Sequence, residues 1–167
     1  LATERAEKRV LEEQLRTTKN QIATEIAEKR AVEGELTWKQ YFGEVGEVPP
    51  LPTHINEVLN SSCPFWPGKL VKDTHLLVLV PATVDGRPFT LNLLGELIKN
   101  PQGDGKKTEY RYYNSNVQKE LGVQSPRSSY WVLMTRDVLP DSWNKTHDAQ
   151  KALVAKHASS TDLPYEL

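Results

Sequence analysis

Apolar residues in the first three dozen positions recur in pairs four apart: Leu11 and Leu15, Ile22 and Ile26, Val32 and Leu36. Successive pairs are displaced by 11 and then 10 residues, close to three turns of a helix with 3.6 residues per turn. The six side chains therefore share one stripe, with Ala2, Ala6, Thr18 and Ala23 near its edges. The other faces carry Glu4–Lys8, Glu12–Arg16 and Glu25–Lys29, each with the acid four residues before the base. Such pairs support an isolated helix by roughly 0.2–0.5 kcal/mol apiece. Increments of that size do not hold a long helix in water, so the stripe needs a partner. That partner is the same arm of another copy, a neighbouring helix, or the globule that follows. The favoured reading is a coiled-coil arm that pairs with itself or with a helical partner. Its spacing, nearer 11 residues than seven, favours a straight or mildly right-handed supercoil.

Beyond Leu36 the pattern changes. Every aromatic residue and every proline lies after Glu35, the first being Trp38 and Pro49. The boundary therefore falls at Gly34 to Thr37, giving an arm over residues 1–36 and a globule over 37–167. Pro49-Pro50-Leu51-Pro52 reads as an extended linker. A short helix follows over about Thr53 to Leu59 with Thr53 as its N-cap, then an irregular Cys63-Pro64-Phe65-Trp66-Pro67-Gly68 whose rings plug the edge of a core. His75 to Val80 is a continuous β-prone run, as for a strand covered on both faces, and Pro81 ends it. Asp85-Gly86 signals a tight turn, and Thr90 caps a helix through Ile98. Asn100 to Gly105 reads as a mobile loop and Glu109 to Tyr113 as an exposed strand. Ser115 to Leu121 is a short helix stopped by Gly122. Tyr130 to Met134 is a second buried strand, and Thr146 opens a last helix through about Ala158. Helices and strands interleave with too few strands for a doubly wound sheet, which predicts an α+β globule with three or four strands in its sheet.

Composition narrows the function classes. Lys and Arg number 21 against 22 Asp and Glu, a net charge of −1, so no global field draws nucleic acid or an anionic membrane. The single Cys63 rules out an internal disulfide framework. Leu76 to Val80, the longest strongly apolar run, is far short of the roughly 20 residues a bilayer span needs. The first 15 residues are rich in Glu, Lys and Arg and lack the apolar segment of a secretory signal. The chain reads as a piece of a longer protein, so its compartment stays open.

The candidate chemistry is thin. Gly103-Asp104-Gly105-Lys106-Lys107-Thr108 looks like a phosphate-cradling loop but lacks the upstream glycine, the Ser or Thr after Gly-Lys, and a preceding strand. A solvated turn is the better reading. Cys63 and His75 could pair as thiolate and imidazole, with Asp137 at a strand end nearby, in an enzyme or a fragment of one. Nothing in the linear spacing joins them. The histidines show no i, i+2 or i, i+4 spacing for a metal. Tyr110, Arg111, Tyr112 and Tyr113, next to Lys106 and Lys107, could stack single-stranded nucleic acid. An edge strand or a Tyr- and Arg-rich protein-binding surface is the commoner use of such a run. No cofactor, metal or membrane partner is implied, and nucleic acid is disfavoured. A protein-interaction module is the leading expectation.

Several phrases bring in a resemblance: Cys63-Pro64-Phe65-Trp66-Pro67-Gly68-Lys69, Thr74-His75-Leu76-Leu77, Thr90-Leu91-Asn92 and Trp131-Val132-Leu133-Met134-Thr135-Arg136-Asp137. From about Trp38 onward they resemble a domain of uncharacterised activity in modular proteins of amoeba-associated, chlamydia-like bacteria. There it looks like a C-terminal tail behind interchangeable front ends of coiled-coil, F-box or leucine-rich-repeat type. The resemblance implies a bacterial effector or adaptor setting and carries over no catalytic residue.

Overall fold

A computed structural model of the chain describes residues 2–109 and 115–158. The first element, α1, is a single helix over Ala2–Tyr41, which at 1.5 Å per residue is about 60 Å long. It runs without a break through Gly34 and past Leu36. Threonine hydroxyls at Thr17, Thr18 and Thr37 donate back to carbonyls one turn earlier, so these polar positions stay compatible with a continuous helix. Of its surface ion pairs, Glu35–Lys39 at 3.8 Å follows the expected order with the acid four residues ahead, but others do not. Lys8 lies 3.8 Å from Glu12 and Lys29 4.0 Å from Glu33, with the base ahead of the acid, while Arg16 bonds Glu13 at 3.0 Å. These others are well exposed and worth little.

After α1 come α2 (Ile55–Asn60), α3 (Val71–Thr74), β1 (His75–Val80), β2 (Thr83–Val84), β3 (Arg87–Pro88), α4 (Leu91–Lys99), α5 (Ser115–Glu120), β4 (Tyr130–Thr135) and α6 (His147–Ala158). The mixed α+β expectation holds, but the sheet is smaller. Among the described residues β1 pairs with β4 and β2 with β3, two two-stranded sheets in place of one with three or four strands. Glu109 belongs to no strand, and Tyr110 to Tyr113 lie outside the described residues. The segment after α1 comes close to adding a strand: Val45 bridges Val84, but that bridge stays isolated. The chain divides into two compact units. One comprises Leu1–Pro52 and Leu77–Val132, the other Thr53–Leu76 and Leu133–Leu167.

In the first unit, Val84, Phe89 and Leu93 form a buried cluster covered by Trp38, Val80, Leu94 and Leu97. Trp38 is the tie between α1 and this cluster. Its ring meets Phe89 edge-on at 5.3 Å, and its Nε1–H donates to the Leu79 carbonyl at 3.2 Å. Trp131 Nε1–H likewise donates to Pro49 O at 2.9 Å, fixing the proline-rich linker. Helix α1 stops where Phe42 and Gly43 both return N–H bonds to Trp38 O. Gly43 has φ +127°, a conformation other residues avoid, and a side chain there would run into the Asp85 carboxylate. That carboxylate accepts from Glu44 N at 2.8 Å. Asp85 and Gly86, both at positive φ, make the tight turn between β2 and β3. Thr90 caps α4, its hydroxyl accepting from Leu93 N at 3.0 Å.

The second unit is built around Ile55, Leu59, Cys63, Phe65, Val71, Thr74, His75 and Val154, all buried. Helix α2 starts one turn-position later than expected, with His54 rather than Thr53 at its N-cap and no capping side chain. The Cys63 to Gly68 segment is irregular, as its prolines require. Phe65 packs at 5.0 Å from the His157 ring, which brings α6 onto this core. The two long strands are less covered than expected. Leu76 in β1 and Tyr130 and Met134 in β4 are 44–51% exposed, because a two-stranded sheet offers neighbours too few to cover both faces.

Two substitutions test this account. Phe89→Ala should cost about 3–5 kcal/mol in urea unfolding, the range for emptying a packed aromatic site. Gly34→Ala should instead stabilise by about 0.5–1 kcal/mol, because Gly34 is an interior helical glycine. A methyl there would meet the Trp131 ring at 3.9 Å, an ordinary contact.

Candidate functional site

A side chain on a helix turns 100° from its neighbour, so residues two apart lie about 200° apart. Gly34, facing the Trp131 ring, and Trp38, docked on Phe89, are each two residues from Leu36. The face of α1 that docks is therefore opposite the face bearing the stripe. Accordingly Leu11, Leu15, Ile22, Ile26, Val32 and Leu36 are 48–64% exposed. The globule was one of three possible partners for this stripe, and in the structure it does not cover it. Val10, at one side, is exposed as well. No other element of the described chain carries so long a row of exposed aliphatic side chains. Single exposed Leu or Val residues are ordinary; here six share one side of the helix, with Thr18, Glu25 and Lys29 set among them.

The residues considered for catalysis are arranged differently. Cys63 is buried, with its backbone N–H bonded to Lys69 O at 2.8 Å. His75 is almost fully enclosed, its Nδ1 2.9 Å from the Thr74 hydroxyl and its ring edge-on to Trp66 at 6.3 Å. Its carbonyl accepts from Arg136 Nε at 3.1 Å, which ties the start of β1 to the residue after β4. Asp137 is exposed in the bend beyond. Two of the three side chains are thus enclosed in the core and the third is on the surface. Among the described residues, no group of three or more His, Cys, Asp and Glu is placed to hold a metal ion.

Gly103 to Thr108 forms a turn tied to its neighbours by Gly105 N to Gln102 O and Thr108 N to Ile98 O bonds. Gln102 N also donates to Tyr41 O at 2.7 Å, so the loop is fastened to the end of α1 rather than set over a helix N-terminus. Tyr110 to Tyr113, the candidate stacking residues, lie outside the described residues. No described helix is long and apolar enough to cross a membrane.

The opposed docking and stripe faces of α1 were not drawn from the sequence. The signal lay in the two-residue offset of Leu36 from Gly34 and Trp38, which becomes legible only once α1 is known to continue to Tyr41.

No protein-family model matches the sequence, and neither the curated proteins nor the solved structures contain a match.

His75 gives this core a pH dependence. Burial disfavours the charged imidazolium and lowers its pKa below the ordinary 6.5, opposed in part by a hydrogen bond to the Val71 backbone. The unfolded chain then binds the proton more readily than the folded one. Stability is intact above the unfolded pKa and falls as the pH drops below it, until the folded ring also titrates. Urea unfolding should show lower stability at about pH 5.5 than at about pH 7.5, and His75→Asn should shrink that difference.

Proposed function

We propose that this chain is a non-enzymatic protein-interaction module: a coiled-coil arm that self-associates and thereby presents paired α+β domains to a partner. The exposed row from Leu11 to Leu36, on the face of α1 opposite its docking tryptophan, carries this reading. Removing the exposed half of such side chains from water is worth about 1 kcal/mol each. Even four per helix outweigh the few tenths contributed by each exposed ion pair. A second copy is the economical partner, because it supplies an identical row of matching length, and two-fold pairing is the commonest solution for a self-complementary surface. Pairing two domains also raises their apparent affinity for a multivalent target without any new contact. An effector or adaptor role, as the resemblance to domains of chlamydia-like bacteria implies, fits a tail that gains its partner through such an arm.

Light scattering of the full chain tests the reading. The expected mass is twice that of one chain, and Leu15→Glu with Ile22→Glu should return it to that of one chain while leaving the Trp38–Phe89 core folded. A mass of one chain for the unaltered protein at tens of micromolar, on the order of a weak specific complex, would overturn the arm's role.

A further inference from the structure

The continuous course of α1 sets a seven-residue register that the pairs alone obscure. Leu15, Ile22, Lys29 and Leu36 fall in one column, and Leu11, Thr18, Glu25 and Val32 in the adjacent one. These are the two core columns of a heptad, so Glu25 and Lys29, expected on the other faces, in fact lie within the stripe and interrupt each column once, Lys29 the first and Glu25 the second. Both residues belong to the helix and are exposed in the single chain, with Lys29 making an exposed contact to Glu33 at 4.0 Å.

Orientation decides what those charges meet. In a parallel, in-register pair each column faces its own copy, so Lys29 meets Lys29 and Glu25 meets Glu25 in adjoining core layers. Like charges at such positions oppose assembly, and a buried charge without a partner is costly. In an antiparallel pair the two columns face each other. With Lys29 of one copy opposite Glu25 of the second, every one of these charges has an opposite partner, and the pair occurs twice, once on each side of the two-fold axis. The same alignment sets Ile22 against Val32 and Thr18 against Leu36, places Leu15 beside the Lys39 stem, and carries Leu11 to the end of the partner helix. It also brings Ile26, which lies just outside the heptad columns, against its own copy at the axis. Glu28 meets its copy on the other flank, an exposed and screened contact. Sliding the copies by one heptad would align Leu11 with Leu36 but set Glu25 against Ile22, stranding the carboxylate.

We infer that α1 pairs with a second copy of this chain in antiparallel orientation, with Lys29 of each copy opposite Glu25 of the other. The docking face of α1 is on the far side of the helix, so the Trp38 core leaves the seam free in this arrangement. This inference rests on the self-association proposed above and adds its direction and register.

Site-directed disulfide trapping of the full chain tests it, with the unaltered protein as blank because Cys63 is buried. Chains carrying Thr18→Cys and chains carrying Leu36→Cys, mixed and oxidised, should give the mixed cross-linked species as the main product. Ile26→Cys alone should link to itself. Leu36→Cys alone should not, because the two copies of position 36 would be separated by 18 residues, about 27 Å along the axis. Efficient self-linking of Leu36→Cys would overturn the orientation. A Leu11→Cys chain that links to Leu36→Cys in preference to Thr18→Cys would overturn the register, as would a dimer in which neither Thr18→Cys nor Ile26→Cys is trapped. An unaltered chain that scatters light as a single copy would instead defeat the self-association itself.

Discussion

Among its described side chains, a helix of forty residues is covered only over little more than its last two turns, and this geometric mismatch governs the rest of the molecule. The Trp38 indole meets Phe89 edge-on and donates to Leu79 O, so one side of the helix end is fixed to a small aromatic core. Everything upstream projects beyond the reach of that core. Helices of this length are marginal in water without tertiary support, and α1 carries its aliphatic side chains on the face turned away from the support it has. The aliphatic side chains of the arm therefore stay exposed to water in the single chain.

The polar groups of the second unit obey the opposite logic. Thr74, His75 and Ser142 are buried, yet each is held by nearby groups: the Thr74 hydroxyl by Leu70 and Val71 carbonyls, the His75 ring by Thr74, the Ser142 hydroxyl by Leu139 O. These bonds are all local, each closing within four residues of chain, and they lower the cost of burying the groups that make them. A histidine in such surroundings serves the fold, and its chemistry is suppressed by the same burial that makes it structurally useful.

The sequence made the local elements legible wherever a single short-range signal dominates. The Asp85-Gly86 turn, the Thr90 cap and the prolines of the Cys63 to Gly68 segment each act within a few residues, and each appears in the structure. The stripe from Leu11 to Leu36 was equally plain, because helical periodicity needs no tertiary context. What failed was long-range. The extent of strand burial depends on how many strands gather, and neither β1 nor β4 found more than one neighbour. The passage of α1 through Gly34 to Tyr41 was hidden because Trp38 compensates for the weak helix propensity of glycine and the aromatic residues around it. Of the candidate site, the residues could be read but not the direction they face, which is set by the docking of Trp38.

That docking has a mechanical corollary. Trp38 fixes the rotation of the helix about its own axis relative to the Phe89 cluster, so the azimuth of the aliphatic row is locked to the domain by two residues of backbone. One residue inserted between Leu36 and Trp38 would swing the domain by about 100° and lengthen the arm by about 1.5 Å. The arm thus behaves as a keyed shaft: whatever grips its far side also dictates which way the attached domain points.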